Sequence, residues 1–176
     1  MKQTLIALVE DKPGVLNRVA SLFRRRNFNI ESLAVGHSEL PGVSRMTIVT
    51  DEEELLRRSV IKANLGKLIN VIDVQDVTDT PCVIRETALI KVDADAVTRG
   101  QVMNVVEMYR GRIVDVGTGT LIVEVTGEPD KIESAIDVLK PFNITEIMRT
   151  GKIAMARGAV SPRTNGQPTS AANGKH

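Results

Sequence analysis

What most constrains this chain is the order in which its apolar residues change spacing. QTLIALV (3–9) is an apolar run of strand length, and Val15, Val19, Leu22 and Phe23 then recur at helical spacing. Pro13 and Gly14 suit the start of that helix, where early amides have no intrahelical acceptor, and Asn27 suits its end because it tolerates a left-handed backbone. NIESLAVGH (29–37) and SRMTIVT (44–50) read as strands joined through the turn segment ELPGVS. In the later strand, Arg45 and Thr47 are expected outward, with Met46 and Ile48 inward. Leu55, Leu56, Ile61, Leu65 and Leu68 carry a second helix, with Asp51 as N-cap and Glu54 completing a box-like start. INVIDVQDV (69–77) closes a β-α-β-β-α-β order.

After the polar break TDTPC (78–82) the same order begins again. TALIKV (87–92) is a strand, and 98–109 is a helix with Val102, Val105, Val106 and Tyr109 on one side. RIVDVG (112–117) and GTLIVEV (119–125) form a hairpin pair, and PDKIESAIDVL (129–139) is a helix opened by Pro129. NITEIM (143–148) and KIAMA (152–156) close the second sheet. The repeat lies in pattern rather than in residue identity. From 159 to 176 the chain is polar and rich in Gly, Pro, Asn and Ser, and reads as a disordered tail. The expected organisation is therefore 1–78, 79–158 and a tail at 159–176.

Composition removes several function classes. Aromatic residues are 2% with no Trp, so the core must be aliphatic and base-stacking platforms are disfavoured. The formal net charge is +1, which supplies no electrostatic reason to expect nucleic acid or an acidic membrane. The single Cys82 rules out an internal disulfide and fits a reducing compartment. The first apolar run breaks at Glu10, too short for a signal segment, and no later stretch is long enough to span a bilayer, so a soluble cytoplasmic protein is expected.

The stretch VEDKPGVLNRV places a strand exit, an acidic residue and a Pro-Gly turn directly before a helix. A helix start offers unpaired N–H groups and partial positive charge, which suit a carboxylate. Gly14 leaves room for close approach, Asp11 can receive an ammonium group, and Asn29 offers both a donor and an acceptor. Carboxylate plus ammonium describes a free amino acid; the competing reading is a tight turn whose Pro-Gly serves geometry alone. A sandwich of this order takes the strand order 4-1-3-2, with strands 1 and 2 parallel. Asp11 and Asn29 then fall at opposite ends of one sheet. They converge only if edge strand 2 pairs antiparallel with its twin in a second copy, creating two equivalent pockets. Ile30, Leu33 and Val35 are the aliphatic residues near enough to judge a side chain.

These residues resemble a known family. VEDKPGVLNRVASLFRRRNFNIESLAVG, then PGVSRMTIVT, is similar to the ACT domain of the regulatory (small) subunit of acetohydroxyacid synthase, also called acetolactate synthase. The similarity continues through KLINVIDVQDVT, RETALIKV, GRIVDVGTGTLIVEVTG and ITEIMRTGKIAMARG, spanning 2–158. The resemblance implies two ferredoxin-like sandwiches in tandem, an α+β fold, the first an ACT domain that dimerises. It implies no catalytic residue, no metal and no cofactor on this chain. The expected partner is a catalytic subunit carrying thiamine diphosphate and Mg, which joins pyruvate to a 2-oxo acid. The small subunit would activate that partner and confer feedback inhibition by valine or another branched-chain amino acid. Asp11, Gly14 and Asn29, with the backbone of Val15 and Leu16, match the family's effector positions, and the adjacent aliphatic Ile30 completes the expected effector-binding set; the first position is often Asn in relatives, which bears on effector choice. The alternative is a free-standing amino-acid sensor acting on another enzyme or a transcription factor.

Other features read as structural. Arg24, Arg25 and Arg26 suit the negative end of a helix dipole rather than a nucleic-acid patch. His37 has no partner at metal-ligand spacing, and nothing near Cys82 in sequence would activate a thiol. The GTGT turn (117–120) lies between strands, not before a helix, so it is no phosphate loop.

Overall fold

A computed structural model describes residues 2–52 and 54–158. The reading of 159–176 as a disordered tail lies outside the described residues. The first half comprises β1 (Gln3–Glu10), α1 (Val15–Arg25), β2 (Ile30–His37), β3 (Val43–Thr50), α2 (Leu55–Leu65) and β4 (Val71–Asp76). Its sheet has the order β2-β3-β1-β4. Both β1 and β2 run antiparallel to β3, so they are parallel to each other, and β2 is an edge. One sheet face carries Leu5, Ala7, Val9, Met46 and Ile48 against Val15, Val19 and Phe23 of α1 and Ile61 and Leu65 of α2. All ten are buried, and at roughly 1.5–3 kcal/mol for each large side chain they are the main source of this half's cohesion.

The second half comprises β5 (Cys82–Asp93), α3 (Arg99–Met108), β6 (Arg112–Val116), β7 (Thr120–Gly127), α4 (Pro129–Leu139), β8 (Ile144–Arg149) and β9 (Ile153–Ala156). Its sheet runs β6-β7-β5-β8, with β9 pairing β5 off that path. Ala88, Ile90, Val92, Leu121, Val123 and Val125 meet Val102 and Val106 of α3 and Ile132, Ala135, Ile136 and Leu139 of α4. Glu86 is buried on β5 and forms a two-pronged pair with Arg149 of β8, at 2.7 and 2.8 Å.

Three expectations are corrected. First, KIAMA does not close the second sheet. β5 is twelve residues long; its first four, Cys82–Arg85, pair with β9, and pairing with β7 begins only at Glu86. This small ribbon lies on the outer face of the first sheet, burying Ile6, Val77 and Ala154 beside Cys82 and Ile84. Second, Thr47 keeps its outward orientation but is buried, because the ribbon covers that face and its Oγ1 accepts the Ala154 N–H (3.4 Å). Third, α2 begins at Leu55 with Glu54 at its cap position and no side-chain cap, so Asp51 is not the N-cap. Its inward face is Arg58, Ile61 and Leu65, while Leu55 and Leu56 are 73% and 74% exposed. Arg58 Nε donates to the Glu52 carbonyl (2.9 Å), which takes up the polar chemistry at this entrance.

Candidate functional site

The turn from β1 into α1 is built mainly by backbone. Asp11 N–H donates to the Gly42 carbonyl in the β2–β3 turn (2.8 Å), so the strand exit is tied to the neighbouring hairpin. Gly14 is the N-cap at φ 83°, the left-handed region that an L side chain enters only with strain. A Cβ at Gly14 would meet nothing within 4 Å, so the requirement for glycine comes from backbone angle and not from crowding. Among the described residues no side chain caps α1, and no acidic residue lies in its first turn to offset the positive end of the helix. Val15 is buried and anchors the turn to the core; Leu16 is 46% exposed beside it.

Two groups of charges flank the turn. Glu10 accepts from Asn70 Nδ2 (2.5 Å) and lies 3.2 Å from Lys12 Nζ, while Asn70 also accepts from Arg18. The Asn70 hydrogen bond, followed by that of Lys12, holds the Glu10 carboxyl below its ordinary value. Asp11 stands apart from this group and is exposed, with Oδ2 3.4 Å from His37 Nδ1. That neighbour was not singled out from sequence. The available signal was parallel strands 1 and 2: a residue ending β2 lies level with the exit of β1.

Asn29 and Ile30 lie at the other end. The C-terminus of α1 turns through Asn27 at φ 55°, and Phe28 N–H donates to the Phe23 carbonyl (3.0 Å). Phe28 packs on the core, and the Arg57 guanidinium sits over its ring at 5.1 Å. Asn29 is therefore presented from a fixed turn, exposed, just before the ladder begins at Ile30. The register places Ile30 and Gln3 opposite Thr50 at one end, and His37 and Val9 opposite Ser44 at the other. At about 3.3 Å per residue, Asn29 and Asp11 of one chain are separated by about 30 Å. Asp11, Gly14, Val15 and Leu16 are thus brought together, and Asn29 with Ile30 form a separate group.

Other candidate chemistry is sparse. Among the described residues no cluster of His, Cys, Asp and Glu could hold a metal. Burial pushes the Cys82 thiol up from its ordinary value, which opposes thiolate formation. Among the described residues no helix is long and apolar enough to cross a membrane.

Comparison with known proteins places both halves. A family model described as "AHAS small subunit-like ACT domain" matches residues 5–73, and one described as "Small subunit of acetolactate synthase" matches residues 85–158. The fold is accordingly a tandem of ferredoxin-like sandwiches, the first of them an ACT domain. The acetolactate synthase small subunit of Mycolicibacterium smegmatis is 51% identical over 155 residues, 88% of this chain and 91% of that protein. A probable acetolactate synthase small subunit of Archaeoglobus fulgidus is 49% identical over 158 residues, 90% of this chain and 98% of that one. The crystal structure of the acetolactate synthase small subunit from Thermotoga maritima superposes with a TM-score of 0.81 at 39% identity, covering 91% of this chain and 99% of that chain. The chain belongs to the acetolactate synthase small-subunit family.

Proposed function

We propose that this chain is the regulatory subunit of an acetolactate synthase. It activates a thiamine-diphosphate- and Mg-dependent catalytic subunit and makes it sensitive to feedback by valine or a related branched-chain amino acid. The observation that carries this reading is the extent of the family match: relatives named as acetolactate synthase small subunits align across both halves at about half identity. In this reading 1–78 binds effector and dimerises, 79–158 is the second unit, and the complex works in the cytoplasm.

The effector is held between two copies. β2 lies at a sheet edge, and antiparallel pairing with its twin about a two-fold axis carries the Asp11–Gly14 turn of one copy to Asn29 and Ile30 of the other. The amides at the start of α1 receive the carboxylate, Asp11 receives the ammonium, and Asn29 of the second copy supplies polar contacts. Leu16 and Ile30 offer aliphatic surface to a small branched side chain. Hydrogen bonds to charged groups contribute about 1.5–3 kcal/mol each, and burying a valine side chain about as much. A feedback ligand in the micromolar-to-millimolar range needs only about 4–8 kcal/mol net, which two or three such contacts supply after the entropy of binding.

Reconstitution tests the assignment. Adding the purified chain to its thiamine-diphosphate catalytic subunit should raise acetolactate formation, and valine should then lower it. A catalytic subunit indifferent to the chain would rule the assignment out.

A further inference from the structure

We propose that the entrance of β2 is a coupling joint, where Ser32 and Glu31 grip the turn between β8 and β9 and pass effector occupancy at Asn29 and Ile30 to the second half. This rests on the effector-site reading above and names the residues through which that site would act.

The contact is specific. Lys152 N–H donates to Ser32 Oγ at 2.8 Å, and Lys152 Nζ lies 3.5 Å from Glu31 Oε1. Glu31 is also paired with Lys2 at 2.6 Å. Gly151 has φ 80°, and a Cβ there would stand 2.8 Å from Ser32 Oγ and 3.4 Å from the Leu33 carbonyl. The backbone of the second half therefore approaches β2 as closely as only glycine permits.

The two sides of this joint differ in stiffness. On the second-half side the turn is pinned at both ends. Arg149 is held by buried Glu86 and by Glu133, and β9 is held where Arg45 Nη2 donates to the Ala154 carbonyl (3.1 Å) and Thr47 Oγ1 accepts the Ala154 N–H. On the β2 side the ladder register shifts between Ile30 and Ser32, so Glu31 is a bulge. A bulge can change its local geometry without breaking the rest of the ladder. The cleft beside it, about 560 Å³ and lined by Lys2, Glu31, Ser32, Arg149 and Lys152, leaves space for that change. Burial pushes the Glu31 carboxyl up, but Lys2 and Lys152 outweigh it and hold it below its ordinary value, so the grip is ionic at neutral pH. The residues that hold the second half, Glu31 and Ser32, thus follow the effector contacts Asn29 and Ile30 directly in the chain. An effector that favours one bulge geometry changes the preferred position of a turn that cannot relax independently.

Ser32→Ala removes the acceptor without adding bulk, and Gly151→Ala pushes a methyl group against Ser32. In the full chain, valine affinity by calorimetry should stay within about twofold of the original for both, while the inhibition midpoint in the reconstituted complex rises about fivefold or more. Amide hydrogen exchange provides a second readout that needs no variant: saturating valine should change the Lys152 N–H rate by about fivefold or more in the original chain. Unchanged inhibition by both variants, or by Ser32→Ala alone if Gly151→Ala does not fold, overturns the joint, as does a Lys152 rate indifferent to valine while binding is intact. Failure of the original chain to bind valine would instead overturn the effector reading on which the joint depends.

Discussion

At Gly14 the backbone enters the left-handed region and α1 begins without a side-chain cap, so two different substitutions there test two different things. Gly14→Ala adds strain without crowding and should destabilise by about 1 kcal/mol, lowering Tm by about 2–4 °C. Gly14→Asp adds that strain and places a carboxylate where the effector's own carboxylate is proposed to sit; valine binding should disappear, and an unaltered titration heat would contradict the anion site. Asn29→Ala removes an exposed polar side chain whose turn is held by Phe28, so the thermal transition should persist while valine binding weakens by about tenfold. A lost transition would assign Asn29 to structure instead. Asp11 is the position whose surroundings were least legible from sequence. Its place at the strand exit could be read directly, but its contact with His37 spans twenty-six positions and depends on β3 lying between two parallel strands.

Among the elements, those with a local signal were read nearly to the residue. Pro129 opens α4, and the apolar spacing ends at Leu139, where the helix also ends. KIAMA carried the same alternation whichever sheet it joined, and only tertiary contact placed it against β5 and the first sheet. Leu55 and Leu56 carry helical apolar spacing yet face outward, because the phase of α2 is set by Arg58, Ile61 and Leu65. The pair of Glu86 and Arg149 ties β5 to β8, and its halves are unequal: the Glu86 side chain is 4% exposed and that of Arg149 is 31%. Arg149→Met leaves a buried carboxylate without its main partner and should cost about 3–5 kcal/mol, whereas Glu86→Gln leaves a cation that reaches water and should cost less. Urea denaturation of the two variants checks the order; equal losses would contradict it. At the start of β1, burial pushes the Asp76 carboxyl up, but hydrogen bonds from Thr78 and Gln3 outweigh it and lower it below its ordinary value. The unfolded carboxyl titrates near about 3.9, so the stability from Asp76 is present above that pH and is lost as pH falls through the lowered folded value. Asp76→Asn should therefore be less stable at neutral pH and show a shallower acid decline below about pH 4. Parallel acid limbs in the two proteins would contradict the assignment.

For the whole molecule, the pattern of two sandwiches was legible because strand and helix periods alternate clearly in an aliphatic chain. The ribbon of Cys82–Arg85 and Ile153–Ala156 lying across the first sheet was not, because it makes the two halves share a surface that neither announces alone. The proposal at this scale is that two chains complete each effector pocket. Mixing two defective subunits tests it most directly. In a heterodimer of Gly14→Asp and Asn29→Ala chains, one pocket receives both defects, and the other receives an intact Gly14 turn from one chain and an intact Asn29 from its mate. A pocket built across the two-fold axis predicts that valine binding, impaired in either homodimer, returns in the mixture at original affinity and at one site per heterodimer. Binding no stronger in the mixture than in the separate variants would show that each chain holds its effector alone.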